Sequence, residues 1–277
     1  MTAFVVFNPN SAGGGTGRDW REIEEALERV FPLMSFFVTT APSQAAHMVR
    51  DALHDGHLEI IAVGGDGTIN EALNGFFLNG MPVAPDAVFS FVHSGHDSII
   101  SRHFGIQPGW QAGVKHLLQA RIHKTDLGRV SCLSAGGTPL TRYFLGQASF
   151  GLSASIARSL GRARIAHLFG HAFATSLHRF VNRLRWRGTR VRLMADNYDE
   201  IAGIASVSVA PAGGLLDMRV LDAAGRPDES RSLHTLRLTA APILDTAAAV
   251  EVECDGESAG ILPACFDIYP AAINLRI

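Results

Sequence analysis

Three glycines surround one carboxylate in residues 63–73, which read VGGDGTINEAL. A glycine-rich turn that opens a helix suits an anion, because the free N–H groups of the first helical turn point at it. Asp66 would repel this anion unless a cation lay between them, and a divalent ion bridging carboxylate and phosphate oxygens meets that need. The stretch therefore predicts a nucleoside triphosphate site with Mg²⁺ bound at Asp66. The alternative is a tight strand–helix turn in which Asp66 accepts a local hydrogen bond.

A buried strand and a helix must hold this turn in place. The preceding run LEIIAVGG (58–65) predicts a strand ending at the carboxyl edge of a sheet, where open α/β folds bind ligands. Thr68 and Glu71 have capping-box spacing, which predicts a helix that begins at or just after Thr68. Two familiar motifs do not fit: there is no P-loop, and GGGTGR (13–18) lacks the spacing of the dinucleotide fingerprint.

Strand and helix patterns alternate through the first 125 or so residues. Short apolar runs predict strands at AFVVFNP (3–9), LMSFFVTT (33–40), LEIIAVGG and AVFSFVHSG (87–95). Helical periodicity appears in residues 20–30, SQAAHMVRDALHDG (43–56), TINEALNGFF (68–77) and GWQAGVKHLLQA (109–120). Ser43 is a candidate N-cap and Gly56 a candidate helix stop. The repeated βα units predict a mainly parallel sheet covered by helices on both faces.

The pattern changes after Lys124. Residues 155–184 predict a helical insertion, and the remaining segments predict mostly β-strands. Residues 250–253, Val-Glu-Val-Glu, alternate as a half-buried antiparallel strand should. We therefore predict two domains, residues 1–125 with an α/β fold and residues 126–277 rich in β-strands.

Composition excludes several classes of protein. Hydrophobic residues make up 47% and charged residues 18% of the chain, as in an ordinary globular protein. A formal net charge of −2 gives no reason to expect a nucleic-acid partner. Three cysteines without metal-ligand spacing indicate reduced thiols in a cytoplasmic protein. Neither a signal peptide nor a transmembrane segment is expected.

Several stretches together resemble the catalytic domain of diacylglycerol kinases and bacterial lipid kinases, related to sphingosine kinases and, more distantly, to NAD kinases. They are NPNSAGG near the start, the threonines after the second strand, GGDGTINEALNG, DLGRV, FLGQASFGLSASIA and CDGE near the C-terminus. GGDGT followed by INEALNG is the specific signal. The resemblance implies a Rossmann-like α/β domain with a mostly parallel three-layer sheet. It also implies a C-terminal β-sandwich domain that carries the helical insertion, and ATP in the cleft between the domains.

The resemblance also implies roles for individual residues in using ATP and Mg²⁺. The implied nucleotide contacts are Asn8, Thr40, Gly64, Gly65, Asp66, Gly67, Thr68, Asn70 and His96. Asp66 would lie close to the metal and the phosphates. Asp255 and Glu257 of CDGE match the acidic motif that supplies the base for a lipid hydroxyl, since phosphoryl transfer needs a carboxylate to accept that proton. From the residues alone, Asp-Gly in this motif indicates a hairpin turn.

The chain departs from the family pattern at two places. GHDSIISR (95–102) stands where the family has Gly-Thr-x-Asn-Asp-Phe-Ala-Arg, so His96 replaces a nucleotide-contacting threonine and Ile99 replaces an acid near the metal. Asp97 is the candidate to compensate from two residues away. In APAGGLLD (210–217), Gly213 stands where the family has an acid of a structural Mg²⁺ site, so we expect that metal to be absent.

These departures leave two functions open. The first is an ATP-dependent lipid kinase that phosphorylates a lipid hydroxyl, diacylglycerol-like in class. The second is a catalytically degenerate relative that binds nucleotide or lipid and acts as a binding or regulatory module. A kinase with a non-lipid acceptor is a further variant of the first. No residue distinguishes diacylglycerol from a sphingoid base, a ceramide or a polyprenol.

Charge and helical pattern predict contact with a membrane surface. No Asp or Glu occurs between Asp126 and Asp196, whereas arginine is frequent there. An amphipathic insertion with a basic face suits anionic lipid headgroups, although its apolar stripe fits a packed core equally well. We expect a protein peripheral to the inner face of the membrane, and leave a homodimer open.

Two groups of histidines have spacings that raise the question of a metal site. They are His93, His96 and His103 in one segment, and His167, His171 and His178 in the helical insertion. Neither group has a nearby acid placed to orient the imidazoles or act as a base. We therefore expect surface or partly buried histidines rather than metal ligands.

Overall fold

The structure, a computed structural model, describes residues 2–151, 189–196, 198–243 and 249–277. The described residues form two compact units. The first comprises the chain as far as Leu127 with Tyr143–Gly146 and Tyr269–Ile277, and the second comprises Gly128–Arg142 and Gln147–Ile268. Two short segments beyond residue 125 thus belong to the first unit, whereas the sequence analysis placed a single boundary after residue 125.

The first unit contains alternating strands and helices. They are β1 (Ala3–Phe7), α1 (Ser11–Arg18), α2 (Trp20–Glu28), β2 (Met34–Val38), α3 (Gln44–His54), β3 (Glu59–Gly64), α4 (Asp66–Gly75), β4 (Phe77–Leu78), β5 (Met81–Pro82), β6 (Val88–His93), α5 (Ile99–His103) and α6 (Trp110–Leu117). The strands and long helices follow the predicted order. Helix α1, the β4–β5 hairpin and the short helix α5 were not predicted.

A parallel sheet forms the centre of the first unit. Its strand order is β2–β1–β3–β6, and every neighbouring pair is parallel. Residues 274–275 near the C-terminus of the chain add a further parallel pairing to β6. The predicted parallel sheet is therefore observed.

Helices cover both faces of this sheet, because successive strand residues point to opposite sides. Val6 and Ile60 pack with apolar residues of α3 and α4 in one buried cluster. Val5 and Ile61 pack with residues of α2 and α6 in another. The long apolar runs of the strands are explained by this burial on both sides.

The second unit is built from β-strands. They are the second half of β7 (Ile122–Leu133), most of β8 (Pro139–Phe144), then β9 (Ala148–Gly151), β10 (Thr189–Ala195), β11 (Tyr198–Ala212), β12 (Leu215–Asp222), β13 (Leu233–Thr235), β14 (Arg237–Pro242), β15 (Glu251–Cys254) and β16 (Glu257–Arg276), whose end lies in the first unit. Strand β9 pairs antiparallel with both β11 and β15. The predicted strand-rich character of the C-terminal part is confirmed, and the predicted insertion lies outside the described residues.

Candidate functional site

The carboxyl ends of the parallel strands bring together several residues predicted to contact a nucleotide. Asn8 follows β1, Thr39 and Thr40 follow β2, and Gly64 ends β3. Gly64 lies opposite His93, the last residue of β6, in the register of the sheet. One edge of the sheet therefore collects the polar residues of four different segments, as open α/β folds do at their ligand sites.

Helix α4 begins two residues earlier than predicted. Its first residue is Asp66, and its N-cap is Gly65. The predicted capping box of Thr68 and Glu71 is wrong, because no side chain caps α4 and Glu71 Oε1 instead accepts a hydrogen bond from the N–H of Ser43 (3.0 Å). The extended conformation of Gly65 allows the helix to start immediately after the strand without a side-chain cap.

The turn before α4 leaves both N–H groups and space for a ligand. The first bond within the helix runs from the N–H of Ile69 to the carbonyl of Gly65 (3.1 Å), so the three preceding N–H groups have no carbonyl partner within the helix. A Cβ on Gly64 would lie 2.8 Å from Thr68, so this position requires glycine. A Cβ on Gly65 would meet no atom within 4 Å, and its N–H donates to the Ser11 hydroxyl (3.2 Å). This geometry is suited to an anion.

Asp66 is held by the segment that follows β6. The Ser98 hydroxyl donates to its Oδ1, and the N–H of Ile99 donates to its Oδ2 (2.7 Å). Burial raises the pKa of Asp66, while these two hydrogen bonds act in the opposite direction. Its carboxylate therefore accepts hydrogen bonds, but from residues more than 30 positions away rather than from the local turn.

His93 lies beside this carboxylate. Its side chain is 6% exposed, and its Nδ1 accepts a hydrogen bond from the N–H of Gly95 (3.2 Å). Its Nε2 is 3.8 Å from Asp66 Oδ1, which is longer than a hydrogen bond. Burial lowers the pKa of His93, which favours the neutral imidazole.

The glycine-rich segment after β1 adds a cation near this edge. Residues Ala12, Gly13 and Gly14 have left-handed backbone angles, with φ between 54° and 84°. These angles bend the chain within α1. A guanidinium nitrogen of Arg18 lies 3.7 Å from the position of a Cβ on Gly14. Arg18 therefore places a positive charge over the glycine-rich bend.

Two asparagines of GGDGTINEALNG have a structural role that was not predicted. Asn70 and Asn74 are buried, and each donates from Nδ2 to the carbonyl of Tyr143, at 2.9 Å and 3.0 Å. Asn74 Oδ1 also accepts from the N–H of Tyr143 (2.9 Å). Predicted nucleotide contacts at Asn70 and at Thr40 stay predictions; Thr40 is exposed, and its N–H donates to the side chain of Gln44 (2.7 Å).

The donor set around Asp66 fits a magnesium ion only in the presence of phosphate. Within the described ranges, no group of three His, Cys, Asp or Glu side chains is placed to hold a metal. Mg²⁺ commonly binds one or two carboxylates and takes its remaining ligands from phosphates and water. Asp66 can supply one such carboxylate oxygen beside the N–H groups of α4.

In the second unit, Asp255 and Glu257 lie on the hairpin that joins β15 to β16. Asp255 and Gly256 both have positive φ, of 49° and 87°, as the two central residues of a type I′ turn require. Asp255 is fully buried, and its Oδ1 accepts a hydrogen bond from the N–H of Gln147 (3.0 Å). Glu257 is exposed. The hairpin indicated by Asp-Gly is thus present, and it carries both predicted catalytic carboxylates.

Glu253, on the same hairpin, was missed from the sequence as a chemically distinctive residue. It is 7% exposed, and the Ser149 hydroxyl lies 3.4 Å from its Oε2. Burial raises the pKa of Glu253 to about 7, and the nearby charge of Glu257 adds to the effect. The Val-Glu-Val-Glu alternation predicted a half-buried strand, but it gave no sign that this carboxyl group is enclosed.

The first unit and the matched sequence segment coincide closely. Residues 2–130 match the model of the diacylglycerol kinase catalytic domain family. The match spans 129 of the 277 residues, somewhat less than half of the chain. The resemblance inferred from GGDGTINEALNG is thereby confirmed.

Proteins similar to this chain have names that agree with this family match. A Streptococcus pneumoniae protein named "Putative lipid kinase" is 24% identical over 130 residues, which are 47% of this chain and 42% of that protein. The structure named "A putative diacylglycerol kinase from Bacillus anthracis str. Sterne" matches with a TM-score of 0.72 and 16% identity, over 99% of this chain and 96% of the other. Yeast NADH kinase, solved as a complex with NADH, matches with a TM-score of 0.55 and 11% identity, over 100% and 82%. The structural matches show that the two-unit fold is shared.

The departures from the diacylglycerol kinase pattern can now be placed. His96 is exposed, and Asp97 pairs with Arg102 at the surface (3.0 Å). At position 99 the family's acid is absent, but the main-chain N–H of Ile99 binds Asp66. Gly213 has a left-handed conformation (φ 57°) in the turn between β11 and β12, so that turn presents no carboxylate at this position.

Other predictions concern residues outside the described ranges. The helical insertion, its arginines and the histidines at 167, 171 and 178 all fall there. In the part of the chain that the structure describes, no helix is long and apolar enough to cross a membrane.

Proposed function

We propose that this chain is an ATP-dependent lipid kinase that uses Mg²⁺ and phosphorylates the hydroxyl of a diacylglycerol-like lipid. We also propose that the first unit has a Rossmann-like fold. The observation that carries it is the start of α4, where a glycine turn at the carboxyl edge of a parallel sheet leaves N–H groups beside Asp66. The match of residues 2–130 to the diacylglycerol kinase catalytic domain supports it.

In the first unit, the proposed task is to hold the phosphates of ATP. The first N–H groups of α4 donate to phosphate oxygens, and Gly65 leaves the space that this approach needs. Asp66 holds Mg²⁺, which when bound neutralises phosphate charge. Ser98 and Ile99 fix the orientation of the carboxylate by their hydrogen bonds.

In the second unit, the proposed task is to accept the proton of the lipid hydroxyl as its oxygen bonds to the γ-phosphorus and ADP leaves. Glu257 is exposed, so a substrate hydroxyl can reach it without rearrangement of the chain. Asp255 is buried and bound to the main chain of Gln147, which suits a residue that holds the hairpin in shape. The two carboxylates therefore have separable proposed roles.

The proposed substrate is presented at a membrane surface. An interval from Asp126 to Asp196 without acidic residues, but rich in arginine, supports attraction to anionic headgroups. Flotation with vesicles of anionic and of neutral lipid tests this step. We expect binding to anionic vesicles that weakens with added salt, and equal binding to both vesicle types would contradict it.

Incubation of the purified chain with Mg·ATP and a total lipid extract, followed by mass spectrometry, tests the activity. We expect a new phospholipid and release of ADP, both abolished by EDTA. Asp66→Asn and Glu257→Gln should lose the product. Glu257→Gln should melt near the wild-type temperature, whereas Asp66→Asn and Asp255→Asn should melt lower because each loses hydrogen bonding of a buried carboxylate. Glu229→Gln, at an exposed loop residue, is the matched control and should stay active.

Two results would reject the kinase proposal. One is unchanged product in both Asp66→Asn and Glu257→Gln. The other is nucleotide binding by the wild-type chain without ADP release for any lipid fraction, which would favour a binding protein without catalytic activity.

A further inference from the structure

His93 is a buried donor that the proposed phosphate site does not yet use. It ends β6 opposite Gly64 and is only 5% exposed, so little of its ring is available to bulk water. Its backbone position puts it at the same edge of the sheet as the start of α4. A polar side chain that is mostly enclosed at a ligand-binding edge is placed to contact a bound ligand.

The main chain fixes which nitrogen of the ring carries the proton. Nδ1 accepts the N–H of Gly95 (3.2 Å), so in the neutral imidazole the proton is on Nε2. A Cβ on Gly95 would lie 2.8 Å from Cε1 of His93, so glycine is needed there for this approach. With its proton on Nε2 and its lone pair on Nδ1 already used, neutral His93 is a donor and not a metal ligand.

The donor has no acceptor among the described residues. The nearest carboxylate oxygen, Oδ1 of Asp66, is 3.8 Å from Nε2. That oxygen already accepts from Ser98, and the other accepts from Ile99. An acceptor oxygen supplied by a ligand at the start of α4 would satisfy Nε2 and lie within reach of the free N–H groups of the helix.

We propose that His93 binds a phosphate oxygen of the nucleotide through its Nε2–H, as a second, neutral donor beside the N-terminus of α4. This inference rests on the proposed use of ATP and adds a phosphate-binding residue to it. A phosphate oxygen fits because it accepts strongly from N–H donors.

Nucleotide affinity of the whole chain measures this contact independently of turnover. Isothermal titration with adenosine, ADP and ATP in the presence of Mg²⁺ would compare wild type with His93→Leu, His93→Gln and the control His54→Gln, which lies on an exposed part of α3. We expect His93→Leu to weaken ADP and ATP binding roughly tenfold, as for one hydrogen bond to a charged group, and to leave adenosine binding unchanged. Glutamine, which keeps an N–H donor, should recover part of the loss.

Each result has a defined meaning. Equal ATP affinities in wild type and His93→Leu would refute the role of His93 while leaving ATP binding established. A parallel loss for adenosine and ATP would also refute it, because a merely structural effect would not depend on phosphate. Failure of wild type to bind ATP would reject the proposed function together with this inference.

A spectroscopic measurement on the wild-type chain covers the case in which His93→Leu does not fold. Nitrogen-15 spectra of histidine-labelled protein should show His93 with its proton on Nε2, assigned by comparison with His93→Gln. We expect that resonance to shift on addition of ADP but not of adenosine. A proton on Nδ1, or the same response to both compounds, would overturn the proposal.

Discussion

The enclosed carboxyl group of Glu253 predicts that acid stabilises the second unit relative to neutral pH. Glu253 is 7% exposed, its one described hydrogen-bond contact is the Ser149 hydroxyl at 3.4 Å, and Glu257 is a nearby like charge. These surroundings disfavour the ionised form, so the pKa rises from its ordinary 4.5 to about 7. Glu253→Gln keeps the size and hydrogen-bonding capacity of the side chain but cannot ionise.

The magnitude follows from the two pKa values. A rise of about 2.5 units corresponds to about 3 kcal/mol, at roughly 1.36 kcal/mol per unit. Between pH 4.5 and 7 the folded chain binds this proton and the unfolded chain does not, so stability falls as pH increases through that range. The contribution is fully present below pH 4.5 and is lost above about pH 7.

Calorimetric melting of wild type and Glu253→Gln at pH 5 and pH 8 measures the effect. We expect similar melting temperatures at pH 5, and at pH 8 a wild-type transition lower than that of the variant by on the order of 5–10 °C. Glu229→Gln, at an exposed residue of the same unit, controls for the general loss of a negative charge. Carbon-13 NMR titration of the Glu253 carboxyl should give a midpoint near 7. A midpoint below about 5, or parallel pH profiles for wild type and variant, would refute this account.

Two further predictions concern the glycine turn and helix α4. Gly64→Ala should destabilise the chain, because its Cβ would lie 2.8 Å from Thr68. Gly65→Ala should melt near the wild-type temperature but bind ATP more weakly, because its Cβ would fill the open space there. Equal melting temperatures of the two variants would contradict this. Asn74→Ala should cost about 2–4 kcal/mol, because the main chain of Tyr143 loses two hydrogen bonds in a buried place. Urea unfolding measures that loss of stability. A cost below about 1 kcal/mol would contradict a stabilising role of the hydrogen bonds between Asn74 and Tyr143.

Periodicity and turn chemistry were enough to predict the parallel strands and their order of appearance. They work for β3 and β6 because both are buried on two sides, which demands a continuous apolar run. The start of α4 was misplaced because Thr68 and Glu71 have capping-box spacing in the sequence, whereas Glu71 binds the N–H of Ser43, a residue 28 positions away. A local pattern carries no information on such a distant partner.

The candidate site was predictable only as far as local motifs extend. The glycine turn and Asp66 are visible in one short stretch, and CDGE indicated its hairpin. In contrast, the donors to Asp66 come from a segment 32 to 33 residues later, and the enclosure of Glu253 depends on Ser149, 104 residues earlier. Burial and long-range hydrogen bonds are properties of the packed chain, so neither could be inferred from spacing.

Two hydrogen bonds give Asp66 a structural role in addition to the proposed metal-binding role. A divalent ion is one way to reconcile this carboxylate with a phosphate, but Ser98 and the N–H of Ile99 already stabilise its charge without any ion. Asp66 therefore ties the start of α4 to the segment after β6, whether or not metal is bound. Replacing it by asparagine weakens this tie and removes the metal-binding charge together, so loss of activity in that variant alone does not identify a metal site. Dependence of ATP affinity on Mg²⁺ concentration, compared between wild type and Ser98→Ala, separates the two effects, because removing the hydroxyl weakens the tie and the N-cap of α5 but leaves the carboxylate of Asp66 in place.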